Sequence, residues 1–236
     1  MPPRRVKLLD ELVRTRPDIQ DPLNQITEGR VTVDGAFVTN PSSLVIPGSA
    51  ITIKDPKPLR GEAKLRFALE HFSIDVSGGT ALDAGAAAGG FTKVLLEKGA
   101  AKVYAVDTGH GQLIGSLRQD PRVVNLEGVN LGGLNPKLVL DPLEVITLDL
   151  SYLSLAKAVR ELKKVHLAPG CHLVALVKPM FELSLSAPPE DQESLDRAAD
   201  LAGAAAAADG WEIKGFVPSP VTGTRGAKEV LMHATH

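Results

Sequence analysis

The spacing of apolar residues divides the chain into two parts. In the first part, two helical patterns and three short alternating runs occupy residues 4–14, 22–28, 31–33, 36–38 and 50–53. These patterns predict two helices followed by small strands. We therefore predict a compact α+β domain over residues 1–57. The proline-containing stretch 54–58 is expected to be stiff, and a linker over residues 58–63 follows the domain.

From Lys64 onward, apolar runs of strand length alternate with helical patterns. Strands are predicted at residues 80–84, 102–107, 123–126, 144–150, 172–177, 211–217 and 229–233. Helices are predicted at residues 61–72, 90–98, 112–118, 154–165 and 189–208. This order predicts an α/β domain over residues 64–236 with a Rossmann-like, doubly wound sheet of seven strands, the last of which inserts antiparallel.

Charge and composition narrow the functional classes. The chain carries 26 Lys and Arg against 28 Asp and Glu, and residues 1–57 hold eight basic and seven acidic side chains. Proteins that depend on many phosphate contacts usually show a basic excess, so these numbers argue against a large nucleic-acid surface. The chain has neither a run of about 18 apolar residues nor an apolar signal sequence, which predicts a cytoplasmic protein that makes no membrane contact.

Cysteine and histidine usage predicts neither a disulfide nor a metal site. Cys171 is the only cysteine, and its surroundings place it in a buried strand. The six histidines show no metal-ligand spacing and have no nucleophilic partner in the sequence. We therefore predict an enzyme without a metal cofactor.

The strongest local signal is a glycine turn between a strand and a helix at residues 81–91. Asp83 stands two residues before the first glycine, where a carboxylate would repel a diphosphate and attract the ammonium and sulfonium groups of S-adenosylmethionine. Asp107 ends the next predicted strand, where its carboxylate can accept hydrogen bonds from both ribose hydroxyls. Either carboxylate alone could simply cap a helix or turn. Their places on consecutive strand ends favour a ligand site.

Two further strand ends carry candidate reactive groups. Asp149 follows the fourth predicted strand and Lys178 the fifth, so both are expected at the ligand-binding edge of the sheet. Such a pair could share a reactive proton, although lysines at strand ends are often only solvated. Tyr152, Phe91 and Phe181 could surround a sulfonium with ring faces or could be ordinary core residues.

In this order the motifs resemble the TlyA (haemolysin A) family of FtsJ-type RNA ribose 2′-O-methyltransferases. The resemblance rests on Lys64-Leu65, residues 83–91, Val106-Asp107, residues 111–113, 149–155, 177–182 and 219–223, and Glu229. It covers nearly the whole chain and implies an RNA-binding-like domain at the front of a class I methyltransferase domain. It also implies a catalytic tetrad formed by Lys64, Asp149, Lys178 and Glu229. The implied contacts of S-adenosylmethionine are Asp83, Gly85, Ala86, Gly89, Gly90, Phe91, Asp107, Asn130, Asp149 and Leu150.

The chain departs from that family mainly where RNA would be contacted. Ala88 replaces a threonine of the glycine loop, and Glu62 replaces a glycine before the first tetrad lysine. Residues 183–191 replace a loop that is normally rich in glycine and lysine, and residues 19–22 lack a Ser-Arg pair. Ala227 replaces the asparagine of a Gly-Asn pair near the last tetrad residue.

These departures lead to two main hypotheses. We favour a small-molecule enzyme similar to azetidine-2-carboxylate synthases, which cyclise S-adenosylmethionine and release 5′-methylthioadenosine. Asp83, Asp149, Ser151 and Tyr152 would then orient the reacting amine. The alternative is methyl transfer to a ribose 2′-hydroxyl of ribosomal RNA, which the surviving tetrad supports.

A third hypothesis is a non-enzymatic RNA-binding or haemolysin-like protein that only keeps the fold. The complete set of acidic cofactor residues argues against it. The N-terminal domain is also compatible with dimerisation, which would make the protein a homodimer, or with a lid over the site.

Overall fold

The computed structural model describes residues 4–54, 58–223 and 226–236, which fold as two compact units. The first unit comprises Met1–Pro58 and Gly111–Pro121, and the second comprises Leu59–His110 and Arg122–His236. Residues 111–121, which we predicted in the second domain, thus group with the first unit. Part of the predicted linker region, residues 55–57, lies outside the described residues.

The elements of the first unit are mostly short. In chain order they are β1 (Val6–Lys7), α1 (Leu8–Thr15), α2 (Pro22–Thr27), β2 (Val31–Val33), β3 (Ala36–Phe37), β4 (Leu44–Val45) and β5 (Ile51–Ile53). The helix predicted over residues 4–14 is wrong at its start, because Val6 and Lys7 pair with β4 as an antiparallel strand. The sequence did not reveal β4, a strand of two residues.

The second unit contains most of the regular structure. Its elements are α3 (Arg60–His71), β6 (Thr80–Ala84), α4 (Gly90–Glu97), β7 (Lys102–Asp107), β8 (Val123–Glu127), β9 (Leu143–Leu148), α6 (Leu155–Glu161), β10 (Leu167–Val177), α7 (Pro179–Glu182), α8 (Gln192–Ala208), β11 (Glu212–Pro218) and β12 (Val230–Thr235). Helix α5 (Gly115–Gln119) lies between β7 and β8 in the chain but belongs to the first unit. Because α3 begins at Arg60, residues 60–63 are helical and do not form the predicted linker.

Seven strands form one mixed sheet in the order β11-β12-β10-β9-β6-β7-β8. The strands from β10 to β8 are parallel, and β12 inserts antiparallel between β10 and β11, as predicted. Helix α4 packs on β6 and β7, and α8 packs on α6 and on the strands β10, β11 and β12. The chain order reverses between β6 and β9, which is where open sheets of this kind place their ligands.

Several boundaries differ from the sequence prediction in ways that matter for the site. Strand β9 ends at Leu148 and β12 begins at Val230, so Asp149 and Glu229 lie in loops beside the strands. Helix α7 was not predicted, because its four residues are too few to show a period. Helix α8 begins at Gln192, where Asp191 accepts a hydrogen bond from the backbone N–H of Ser194.

The core of the second unit lies around the central strands. Leu82, Tyr104, Ile146 and Leu173 are among its fully buried residues, and Cys171 is buried in β10 as predicted. In the described part of the chain, every helix is too short or too polar to cross a membrane.

Candidate functional site

The turn after β6 is closely packed against the chain that follows β9. Gly85 has a φ of +88°, and a Cβ added there would collide with the carbonyl oxygen of Asp149. The backbone N–H of Asp149 donates to the carbonyl of Ala84 at 3.0 Å. Glycine is therefore required at position 85 both by backbone conformation and by the close approach of Asp149.

The entrance to α4 is equally tight. Gly89 has a φ of +97° and precedes the first turn of α4. A Cβ on Gly90 would come within 3.1 Å of the Cα of Gly61 in α3. These glycines allow α3 and α4 to approach, and α3 carries Lys64 one turn further along. Glu62, one of the departures from the family, accepts from the backbone N–H of Leu59 at 3.0 Å and from Lys93 Nζ at 3.0 Å.

A first cavity, of about 190 Å³, opens at this glycine turn. It is lined by Leu59, Arg60, Gly61, Gly85, Ala86, Ala87, Ala88, Gly90, Phe91 and Asp149. Its walls are mostly backbone and small side chains, so a ligand can approach the main chain closely. Of the cofactor contacts expected from sequence, Gly85, Ala86, Gly90, Phe91 and Asp149 line this cavity.

Asp83 is not among the residues that line this cavity. The side chain is fully buried, and its two oxygens accept hydrogen bonds from Thr92 Oγ1 at 2.7 Å and Thr147 Oγ1 at 3.0 Å. Burial raises the pKa of Asp83 to about 6, although both threonine hydroxyls act in the opposite direction. The direct contact with a ligand ammonium that we predicted is therefore not what this geometry favours. Here Asp83 holds β6, α4 and β9 together.

The remaining expected cofactor residues lie along the same edge of the sheet. Asp107 accepts hydrogen bonds from the backbone N–H groups of Ala87 at 2.9 Å and Gly109 at 2.7 Å, so it also shapes the glycine turn. Asn130 is exposed and caps the 3-10 helix Leu131–Gly133 by accepting from Gly133 N–H at 2.8 Å. Leu150 is buried.

The four residues of the implied tetrad come together. Lys64 Nζ lies 2.5 Å from Glu229 Oε2 and 3.9 Å from Asp149 Oδ2, and Lys178 Nζ lies 2.5 Å from Asp149 Oδ1. Lys64 and Glu229 are buried, whereas Asp149 and Lys178 keep part of their side chains exposed. Two lysines and two carboxylates form one continuous charge network, with its exposed end at Asp149 and Lys178.

A second cavity, of about 440 Å³, opens on the Lys178 side of the tetrad. It is lined by Ser151, Lys178, Pro179, Met180, Phe181, Ser186, Ala187, Pro188, Pro189, Ala227, Lys228 and Glu229. Lys228 Nζ donates to the carbonyl of Glu190 at 2.8 Å and so fastens one end of the segment 183–191. That segment, which departs from the family pattern, thus supplies an apolar wall beside two tetrad residues.

The predicted aromatic wall is not formed around one cavity. Phe91 lines the first cavity and Phe181 the second. Tyr152 is 47% exposed, and its hydroxyl oxygen accepts from the backbone N–H of Leu131 at 3.4 Å. Ser151 is also exposed but lines the second cavity. The three rings therefore do not border a common cavity among those described.

One residue of the site was missed by sequence reasoning. Glu182 Oε1 accepts a hydrogen bond from the backbone N–H of Leu155 at 2.6 Å, across 27 positions of sequence. Its motif was part of the family resemblance, but no local spacing pairs it with Leu155. In the described part of the chain, no group of three or more His, Cys, Asp or Glu side chains could hold a metal ion.

The chemistry of the glycine turn beside the first cavity is that expected of an S-adenosylmethionine site. A turn of glycine and alanine permits close approach of a ligand to the backbone, and Asp107 follows the adjacent strand at the same edge. The same fold is found in an S-adenosylmethionine-dependent methyltransferase from Mesorhizobium loti, with a TM-score of 0.56, 18% identity and coverage of 75% of this chain and 100% of that one. The fold is that of a Rossmann-like class I methyltransferase.

Sequence comparison then identifies the family. Residues 59–235 match the FtsJ-like methyltransferase family. The chain is 37% identical to the 16S/23S rRNA (cytidine-2′-O)-methyltransferase TlyA of Mycobacterium tuberculosis over 97% of this chain and 89% of that protein. A solved hemolysin-type structure from Streptococcus thermophilus has a TM-score of 0.72 and 30% identity, covering 98% of this chain and 88% of the other. The chain belongs to the FtsJ-like methyltransferase family, with relatives of the TlyA type.

The family assignment confirms the main resemblance drawn from the motifs. The chain is an S-adenosylmethionine-dependent methyltransferase. These matches favour the RNA methyltransferase alternative and give no support to the similarity with azetidine-2-carboxylate synthases.

Proposed function

We propose that the protein transfers a methyl group from S-adenosylmethionine to a ribose 2′-hydroxyl of ribosomal RNA. The observation that carries this proposal is the position of the tetrad between two cavities. Asp149 lines the first cavity, at the glycine turn, and Lys178 and Glu229 line the second. Lys178 and Asp149 are in direct contact, so one ion pair joins the two cavities.

The first cavity would hold the methyl donor. Gly85, Ala86 and Gly90 give the ligand access to the backbone, and Phe91 closes one side. Asp107 would accept from the ribose hydroxyls, because each of its oxygens has further capacity beyond one backbone hydrogen bond. S-adenosylmethionine, when bound, supplies an electrophilic methyl group.

The second cavity would hold the acceptor nucleotide. Its volume of about 440 Å³ is that of a small-molecule site, and apolar side chains such as Phe181 and Pro188 form much of its wall. Unpaired bases of RNA are commonly recognised by stacking on aromatic and apolar surfaces of this kind. The net charge of −2 is compatible with a compact site that contacts few phosphates.

The tetrad would orient the hydroxyl and receive its proton. Lys178 is the tetrad lysine that is partly exposed, so its Nζ can contact an acceptor oxygen. Lys178 Nζ is held by Asp149 Oδ1 at 2.5 Å. Asp149 in turn lies 3.9 Å from Lys64, which is paired with the buried Glu229. As the acceptor oxygen forms its bond to the methyl carbon, the bond between that carbon and sulfur breaks. The hydroxyl proton passes to the Lys178–Asp149 pair, in which the carboxylate oxygens of Asp149 can accept it.

The cyclase hypothesis, which the sequence led us to favour, is now the weaker one. It places Asp83, Asp149, Ser151 and Tyr152 around the reacting amine, and two of these residues do not face a common site. Asp83 is buried against two threonines, and Tyr152 is largely exposed beside Leu131. The relative from Mycobacterium tuberculosis is named for methyl transfer to ribosomal RNA, not for cyclisation.

Incubation of the purified protein with S-adenosylmethionine, with and without bacterial ribosomal RNA, tests the proposal. We expect S-adenosylhomocysteine and methylated RNA only when RNA is present, with the methyl group mapped to a 2′-hydroxyl. Lys178→Ala should lower turnover by at least about a hundredfold, whereas Lys157→Ala, a change at an exposed lysine of α6, should leave it unchanged. Formation of methylthioadenosine from S-adenosylmethionine alone would support cyclisation instead.

A further inference from the structure

Helix α6 begins without a cap of its own. Its N-cap residue, Ser154, makes no side-chain hydrogen bond to the first turn. The backbone N–H of Leu155 instead donates to Glu182 Oε1 at 2.6 Å, and Glu182 also receives a backbone hydrogen bond from Ala156. A carboxylate from another helix therefore satisfies the start of α6.

Burying the carboxyl group of Glu182 costs free energy. Burial raises the pKa of Glu182, and the backbone hydrogen bonds from Leu155 and Ala156 only oppose that effect. A serine-capped helix with an apolar residue at position 182 would avoid burying this carboxyl group. The buried carboxyl group links two chain segments, α7 and the start of α6.

Those segments carry the reactive ion pair. Glu182 ends α7, which begins directly after Lys178, and its own N–H donates to the carbonyl of Lys178 at 3.1 Å. Leu155 follows Asp149 by six residues. One hydrogen bond thus ties the segment that holds Lys178 to the segment that holds Asp149, and the side chains of these two residues meet at 2.5 Å.

The same two segments both line the acceptor cavity. Ser151 comes from the segment after β9, whereas Met180 and Phe181 come from α7. If the two segments separated, both the Lys178–Asp149 contact and the width of the cavity would change.

We propose that Glu182 is a positioning residue that sets the separation of Lys178 and Asp149 and, with it, the width of the acceptor cavity. This inference rests on the proposed function for the meaning of the cavity, but not for the geometry of the ion pair. Misplacement of reacting groups by about 1 Å can lower a rate by about a hundredfold. Glu182 therefore acts on catalysis through Lys178 and Asp149 without touching the substrate.

Three variants separate positioning from simple helix capping. Glu182→Ala removes the cross-link, Glu182→Gln keeps an oxygen acceptor at the same place, and Ser154→Asp combined with Glu182→Ala gives α6 a local cap without the cross-link. We expect Glu182→Ala to lower kcat for RNA methylation by about ten- to a hundredfold. S-adenosylmethionine affinity, measured by calorimetry, should stay within about threefold, since the glycine turn belongs to other elements.

The expected pattern is specific. Glu182→Gln should keep most of the turnover, and the double variant should regain the melting temperature of the wild type but not its kcat. Recovery of both quantities in the double variant would show that Glu182 is only a cap and would overturn the inference.

A crystal structure of Glu182→Ala gives a readout that needs no acceptor. We expect Lys178 Nζ and Asp149 Oδ1 to lie more than about 4 Å apart, the limit for an ion pair. An unchanged contact would overturn the positioning role. Absence of RNA methylation by the wild type would contradict the proposed function alone, so the two failures are distinguishable.

Discussion

At the scale of single residues, Gly85 shows how one position can determine the site. Its φ of +88° costs an L residue roughly 1–2 kcal/mol, and a Cβ there would collide with the carbonyl oxygen of Asp149. We expect Gly85→Ala to displace Asp149 and thereby to lower methyl transfer by at least about tenfold. Steady-state kinetics and thermal unfolding measure the two consequences separately.

Gly78→Ala is the matched control for that substitution. Gly78 has a φ of +72°, but an added Cβ would meet no atom within 4 Å. The control variant should therefore lose stability through backbone strain while its turnover stays within about twofold of the wild type. Equal losses of turnover in the two variants would show that the contact with Asp149 is unimportant.

At the scale of elements, Asp83 joins three of them. It lies on β6 and accepts hydrogen bonds from Thr92 of α4 and Thr147 of β9. Sequence reasoning placed this carboxylate at a ligand because its position relative to the glycines suggested so. The pattern could not show that two threonines, 9 and 64 positions away, would enclose it.

This buried carboxyl group makes stability depend on pH. Because burial raises the pKa of Asp83 from 3.8 to about 6, the folded protein holds a proton between these values that the unfolded chain has released. The contribution of Asp83 to the free energy of unfolding is therefore fully present below about pH 4 and is lost as the pH rises through about 6. The total loss is about 3 kcal/mol. Asp83→Asn should lack this loss.

Urea denaturation from about pH 4 to pH 7 measures the effect as a difference between two proteins. The free energy of unfolding of the wild type, relative to Asp83→Asn, should decline over that range. Asp75→Asn, at an exposed carboxylate of the same unit, controls for the loss of one charge. If the free energies of unfolding of Asp83→Asn and of the wild type change in parallel with pH, Asp83 is not protonated in the folded protein at pH 5.

The element scale also shows what a sequence can predict. Strands β6 and β7 match their predicted ranges, because buried parallel strands give continuous apolar runs ended by glycine or by a charged residue. Elements without such a signal were missed or misplaced. Val6 and Lys7 were assigned to a helix, since the pairing of β1 with β4 is visible only in three dimensions.

The candidate site divides in the same way. The tetrad followed from the family resemblance, and the structure assembles it, since Lys64 on α3 and Glu229 before β12 meet at 2.5 Å across 165 positions. The aromatic wall failed because a list of rings carries no information about which cavity each ring faces. Glu182 went unnoticed as a partner of Leu155 for a similar reason, since a hydrogen bond between the end of one helix and the start of another leaves no periodic trace in the sequence.

At the scale of the whole molecule, the charge balance limits how the proposed RNA substrate could be bound. With a net charge of −2, the protein cannot rely on a uniform positive field, so the proposed binding would depend on a few local contacts. In the first unit, Arg14 and Arg16 are already paired with Glu11 and Asp18. The exposed residues near the start of the described chain, Arg4 and Arg5, are better placed to meet phosphates.

The salt dependence of RNA binding tests this view. Each phosphate contact contributes about 0.7–0.9 to the slope of log K against log salt, so a variant with both Arg4→Ala and Arg5→Ala should show a slope smaller by about 1.5. The KM for ribosomal RNA should rise while kcat stays unchanged, because neither residue belongs to the tetrad. The pair Arg14→Ala and Arg16→Ala should change the slope less, since Glu11 and Asp18 already neutralise those guanidinium groups. A slope that is the same in the wild type and in the variant would show that Arg4 and Arg5 make no phosphate contacts.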